Sequence, residues 1–410
     1  MEHFRLFVLP FWVGAGFLLV VLLYKYISWF IGLAPAERKM FWRSLPTRAT
    51  WKSVCEIGSE SLLHRKIWRT NPLLGYMHTS FALGWFLLIL TGWIETLVYF
   101  KGHNVPLYVD IFFSYYVHPI FERNFNFSLI KDALLLLILI GIGLALFKRI
   151  RSRAMGMRRT TKHVLGDRIA LTALWFIFPA RLLAESFTSG VLWKFGGIGW
   201  ALGDQVHIIP PGIGGGSFLT NTTGELLANT LPNSLLIHGE LPMWWFYSIS
   251  LGVFFFALPF SRYMHIFTEI PLIFLRNAGI RSGVQEKSYD HFQIEACSRC
   301  GICIDPCQLQ SAAGIDNVQS VYFLRDRRYG HLTDAVADNC LLCGRCVVAC
   351  PVGIELGTLR LNSRAKNAVA CAPDRYNYIK GLDRSEGEGK VGYFAGCMTL
   401  LSPRSEEHTS

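Results

Sequence analysis

Charge is what this chain has least of. Only 17% of its 410 residues are Asp, Glu, Lys or Arg, while 51% are hydrophobic. A soluble domain is usually about a quarter charged, so a wholly water-exposed globule is excluded and much of the chain belongs in lipid. Acidic residues are scarcer than basic ones, 29 against 40, for a net charge of +11. That excess would suit nucleic acid, but its placement assigns it elsewhere. A cleavable signal sequence is also missing: the first apolar run is long and ends in Tyr24-Lys25-Tyr26, without a small-residue cleavage site. Internal repeats are absent except for one pair of cysteine runs.

That pair holds eight of the eleven cysteines. Cys297, Cys300, Cys303 and Cys307 form one run; Cys340, Cys343, Cys346 and Cys350, followed by Pro351, form the other. Both read C-x2-C-x2-C-x3-C, the spacing that binds [4Fe–4S] clusters in bacterial-type ferredoxins. Three thiolates on a tight loop reach three irons of a cubane, and the fourth must come from elsewhere. In two-cluster folds each run lends its last cysteine to the other cluster. The expected sets are therefore Cys297, Cys300, Cys303 and Cys350 for one cluster, and Cys340, Cys343, Cys346 and Cys307 for the other. Zinc sites are usually built from two separated pairs, and disulfides need an oxidising compartment. Gly301 and Gly344 sit where a cluster crowds the backbone. The first run departs from the pattern in ending on Gln308 rather than Pro, with Pro306 before the last cysteine.

Five apolar stretches are long enough to span a bilayer, near 6–33, 74–100, 130–147, 167–189 and 235–259. The loops orient them. Residues 34–73 and 148–168 carry eight Lys or Arg each, while the alternate loops carry Lys101 and Arg123, and Lys194. The positive-inside rule places the rich loops in the cytoplasm. The N-terminus then faces out, and the cysteine runs lie in the reducing compartment that their thiolates need. This accounts for the basic charge without nucleic acid. The Gly-rich stretch 190–234 reads as an outer loop that either covers an outward site or connects.

Histidines inside spans are site candidates by default. His78 lies just inside the second span and His265 just past the fifth, both on the cytoplasmic side. Singly, each reads as an interfacial residue. As a pair at one depth, they can sandwich a haem between two imidazoles, which saturates the iron and suits electron transfer. His238 starts the fifth span on the outer side; His103, His118 and His207 fall in outer loops and His64 and His163 in inner ones, where solvated or capping roles are expected. Glu95 should sit near the outer face. Arg181 and Glu185, one turn apart, serve either a quinone or proton path or a structural ion pair. Cys55 and Cys371 match no motif and read as ordinary thiols.

With these residues in hand, the five-span part resembles the cytochrome b (gamma) subunit of respiratory nitrate reductases and the membrane subunit of heterodisulfide reductase. The likeness lies in Pro259-Phe-Ser-Arg-Tyr-Met-His265-Ile266 and in His78. The cluster region and Gly396-Cys397 resemble the catalytic D subunit of heterodisulfide reductase. The fused order is similar to bacterial electron-transfer-flavoprotein:menaquinone oxidoreductases. The resemblance implies a bacterial or archaeal inner-membrane protein that links a cytoplasmic redox partner, such as electron-transfer flavoprotein, to membrane quinone, menaquinone by the family's habit. It also implies haem b on His78 and His265. Dihaem members carry a second histidine ten residues after the first and another eighteen before the last. Here those positions are Leu88 and Tyr247, so one haem is expected rather than two. Cys397 would be the first ligand of a noncubane cluster in a CCG-type domain.

The expected fold is mainly α: a five-helix membrane bundle (1–260), a linker (261–289), a helical dicluster domain (290–365) and a connector entering the first strand of an α/β CCG domain (366–403), cut short. The ending Arg404-Ser-Glu-Glu-His-Thr-Ser410 reads as translated sequencing adapter rather than protein. The expected function is quinone-linked electron transfer. The alternatives are a non-catalytic anchor and conduit in a larger complex, or quinol-driven heterodisulfide-type reduction. Donor, direction and quinone site are not legible, and Glu95, Arg181, Glu185 and the basic residues near His78 stand as undiscriminated quinone-site candidates.

Overall fold

A bilayer core offers no water to a backbone amide, so a long apolar run must satisfy its own hydrogen bonds, which a helix does within one segment. The computed structural model describes residues 6–100, 111–112, 127–151, 163–195, 218–283 and 285–366. In it, five helices are long and apolar enough to cross a membrane. They are α1 (Leu9–Ile31), α2 (Pro72–Phe100), α3 (Phe127–Ile150), α4 (Leu165–Phe195) and, after the shorter α5 (Phe218–Thr230), α6 (Asn233–Ala257), which a 3-10 turn carries to Phe260. Each overlaps one expected span. Among the described residues there is no strand; the stretch 391–397 expected as the first strand, Cys371, Cys397, His103, His118, His207 and the terminal seven residues lie outside them. Residues Met1–Ala365 form one compact unit and Lys366–Ser410 a second.

Helix α6 packs against both α4 and α1, and α2 pairs with α3. The α1–α6 approach is close enough to require glycine: a Cβ on Gly14 would lie 2.8 Å from the Gly252 backbone, and one on Gly252 would lie 2.5 Å from the Pro10 carbonyl. Small residues at such crossings let membrane helices gain dispersion contacts that larger side chains would block. Phe11, Leu88, Ile138, Phe178, Leu251 and Phe254 fill the interior. Leu19, Val20, Leu23 and Ile27 of α1 stay exposed on the outer face, where lipid supplies the apolar surroundings.

The stretch 190–234 is not wholly a loop. Its second part is α5, seated against α4 and α3. Asp132 of α3 caps it, accepting from Leu219 N–H (2.8 Å), Thr220 N–H (3.1 Å) and the Thr220 hydroxyl. The stretch 261–289, read as a linker, also contains a helix, α7 (His265–Asn277), and leads into α8 (Ser288–Glu295). Leu272 and Leu275 of α7 join Tyr289, Phe292, Phe323 and Ile354 in the core of the cysteine-bearing region, which is completed by α9 (Ser320–Arg328) and α10 (Leu356–Lys366).

This region sits on the end of the bundle that carries the basic loop 34–73. Lys66 Nζ donates to the Pro351 carbonyl (3.2 Å), Arg276 pairs with Glu56 (2.5 Å), Asn277 donates to Glu56 (2.9 Å) and Ser288 donates to the Trp29 carbonyl (2.6 Å). The cysteine runs and the Lys/Arg-rich loop 34–73 therefore lie at one end of the bundle.

Candidate functional site

The two cysteine runs fold alike. The residue before the second cysteine is left-handed in each, Arg299 at φ 55° and Leu342 at φ 52°, and the glycine after it is too, Gly301 at φ 90° and Gly344 at φ 75°. Such backbone is costly for a residue with a Cβ. Here it curls each run so that successive thiols face one point, and a backbone N–H turns onto sulfur: Leu342 N–H approaches Cys340 Sγ at 3.5 Å, and Arg299 N–H does the same at Cys297. The last cysteines match as well, Cys307 at φ −72°, ψ 118° and Cys350 at φ −69°, ψ 117°. Both are extended, so each leaves its own loop.

Where they go sorts the eight thiols. One cavity is lined by Cys297, Cys300, Cys303 and Cys350. The other is lined by Cys340, Cys343, Cys346 and Cys307, with Cys303 and Ser320 on the wall that both share. Among the described residues no three or more His, Cys, Asp or Glu side chains converge on a single-ion position. Two sets of four thiols, each lining one cavity, are the donor set that suits two cubanes with one thiolate per iron.

Without iron, burial and neighbouring thiols push Cys297 up to about 12 and Cys350 up to about 11, and burial raises Cys303 and Cys346 as well. Four such thiolates need a counter-charge, which cluster irons supply. The protein adds cations of its own. Arg360, 1% exposed, lines the second cavity, stacks 4.4 Å over Phe323 and donates to the Val318 and Val336 carbonyls. The Ser320 hydroxyl donates to Cys346 Sγ (3.2 Å).

The two candidate haem histidines lie near the same end of the bundle. His78 lies within electrostatic reach of His265, Lys148 and Arg262. His265 Nδ1–H donates to the Arg262 carbonyl (2.7 Å). A carbonyl only accepts, so this bond fixes the tautomer and leaves the Nε2 lone pair for a metal. Burial holds His265 down to about 4, so the ring is neutral at ordinary pH. His64, expected to be solvated or capping, has a left-handed backbone at the start of helix Arg65–Thr70, but its ring lies 5.3 Å from that of His78. Its Nδ1–H donates to the Leu62 carbonyl (3.2 Å), and burial holds it too at about 4.

The outer positions carry no such pair. Leu88 is buried in the main core, and Tyr247, 2% exposed, packs against Phe112 (5.3 Å) and Trp244 and bonds to Arg181. His238 is exposed. Arg181 and Glu185 form the buried pair that their spacing allows (2.9 Å). Glu95, expected near the outer face, is buried against Lys131 of α3 (2.9 Å). These carboxylates are bound into the bundle, as buried charges in a membrane protein must be.

The first cysteine loop and the start of α2 meet directly. Cys300 and Ile302 of the first run share one hydrophobic cluster with Leu74 and Met77, the residues that precede His78 on α2, and with Leu144 and Ala145 of α3.

A chain with two such cysteine cavities set on a bundle of apolar helices belongs to the class of membrane-associated iron–sulfur proteins. Residues 293–354 match the 4Fe-4S dicluster domain family. No curated protein matches the chain, and no solved structure does.

Proposed function

We propose that the protein is a membrane-bound oxidoreductase that moves electrons between a cytoplasmic redox partner and membrane quinone. Two [4Fe–4S] clusters and one haem b supply the one-electron chemistry when bound. Cys297, Cys300, Cys303 and Cys350 hold the first cluster; Cys340, Cys343, Cys346 and Cys307 hold the second. His78 and His265 hold the haem, and Leu88 and Tyr247 close the outer position with packed side chains. The observation that carries this reading is the shared apolar contact between the first cysteine loop and the residues just before His78. It supports a first cluster site beside the haem site, with the second cavity behind it sharing Cys303 and Ser320. Electron-transfer flavoprotein and menaquinone are the partners that the sequence resemblance favours.

The test uses the full chain, loaded with its cofactors and reconstituted in liposomes. The protein is reduced anaerobically and mixed with a menaquinone analogue while haem and cluster absorbance are followed. Quinone should reoxidise haem and clusters together, and His265→Ala should leave the clusters reduced. Clusters that reoxidise at an unchanged rate in His265→Ala, or that ignore quinone in the wild type, would overturn the proposal.

A further inference from the structure

Between the first cysteine loop and the segment that carries His265 lies the carboxylate of Asp167, in the first turn of α4. It is fully buried, 0% exposed. Its Oδ2 pairs with Nη2 of Arg299, the left-handed residue between Cys297 and Cys300. Its Oδ1 accepts from Arg262 N–H at 2.7 Å. The carbonyl of the same Arg262 accepts from His265 Nδ1–H at 2.7 Å. Three contacts therefore join the cluster loop to the imidazole: guanidinium to carboxylate, carboxylate to amide, and carbonyl to ring nitrogen.

The surroundings hold this chain of contacts in place. Gly166 lets α4 press against the turn, since a Cβ there would lie 2.7 Å from the Phe260 carbonyl. From the cysteine-bearing side, the Tyr329 hydroxyl donates to the Phe260 carbonyl (3.0 Å) and Arg328 donates to the Ser261 carbonyl (2.7 Å). Arg299 itself, 8% exposed, lies 5.9 Å from the Tyr329 ring. The segment 260–265 is thus gripped by the membrane helix on one side and the cluster region on the other. Buried charges are costly unless paired, and Asp167 and Arg299 pair with each other.

We infer that Asp167 is a positioning residue that ties the first cluster loop to the haem-ligating imidazole, fixing His265 with Nε2 free for the iron and coupling the charge states of the two redox centres. The inference rests on the reading of His265 as a haem ligand. Its electrostatics have a sign. The carboxylate favours the ferric haem, which carries one more positive charge than the ferrous form. Arg299 offsets that effect on the side facing the cluster.

The experiment is a redox titration of the haem in the full, cofactor-loaded chain, with haem content by pyridine haemochrome and low-temperature EPR of the ferric haem. Asp167→Asn leaves Arg299 uncompensated, so the ferrous form should gain about tenfold over the ferric at a fixed potential, a rise of about 59 mV for one electron. The ferric EPR signal should move as the imidazole loosens. Arg299→Gln should shift the potential the other way, and the double variant should return toward the wild type because the net charge of the pair is again zero. Unchanged potential and EPR in Asp167→Asn at full haem content would overturn the inference, as would shifts of one sign in both single variants. Should Asp167→Asn fail to accumulate, Arg299→Gln decides alone: a downward shift supports the coupling and no shift overturns it. His265→Ala separates the underlying reading, for if that variant keeps its haem, the ligand assignment has failed regardless of Asp167.

Discussion

The crossing of Cys307 and Cys350 can be tested through pairs of substitutions. Cys350 ends the second run, yet it lines the cavity of Cys297, Cys300 and Cys303. Cys307 ends the first run, yet it lines the cavity of Cys340, Cys343 and Cys346. Two cubanes give about eight irons per chain, four for each. Replacing one ligand removes or degrades one cluster, so Cys350→Ala should retain about half the iron. Two ligands of the same cluster act as a unit, and their effects should not add. Cys350→Ala with Cys297→Ala should therefore cost no more iron than either alone, while Cys350→Ala with Cys343→Ala should leave almost none. Iron and acid-labile sulfide per chain, measured anaerobically, read both outcomes. If Cys350→Ala added to Cys297→Ala but not to Cys343→Ala, each run would be holding its own cluster and the crossing would be wrong.

Other perturbations follow from single buried groups. Arg360→Met removes a cation from the wall of the second cavity and leaves the Val318 and Val336 carbonyls without it; the second cluster should become harder to reduce, and an EPR redox titration should show it. Burial raises Glu269 to about 7 from 4.5. A folded-state value above the unfolded one favours the protonated form, so this stability is present below 4.5 and lost as pH rises through 7. Glu269→Gln should therefore stabilise the protein at pH 8 by up to about 3 kcal/mol and by little at pH 5, read by unfolding in detergent at both values. Gly252→Val drives a side chain into the Pro10 carbonyl; it should cost about 1–3 kcal/mol by forcing α1 off α6 and lower the thermal midpoint in detergent.

Much of this architecture is written in local pattern. The five spans follow from unbroken apolar runs, and the two thiol sets follow from spacing plus the general habit of crossing over. The rest depends on contacts remote in sequence. His64 lies in a loop fourteen residues before His78, and only the fold of that loop brings the two rings together. Asp167 and Arg299 look like ordinary charges at a helix start and in a cysteine loop, and nothing local pairs residues 132 positions apart. Arg360 reads as one more basic residue on a polar helix until its burial against Phe323 is seen. Helix α5 is short and follows a Gly-rich stretch, so its tertiary cap by Asp132, rather than its own sequence, marks where it begins. Position along α2 gives the depth of Glu95 but not the partner across from it, Lys131.

We propose two cubanes at the end of the membrane bundle with a single haem beside them. Iron, sulfide and haem assayed on the same anaerobically purified, detergent-extracted protein test it most directly. The expected result is about eight irons, matching sulfide and about one b-type haem per chain. Zinc in place of iron, no haem, or two haems per chain would contradict it.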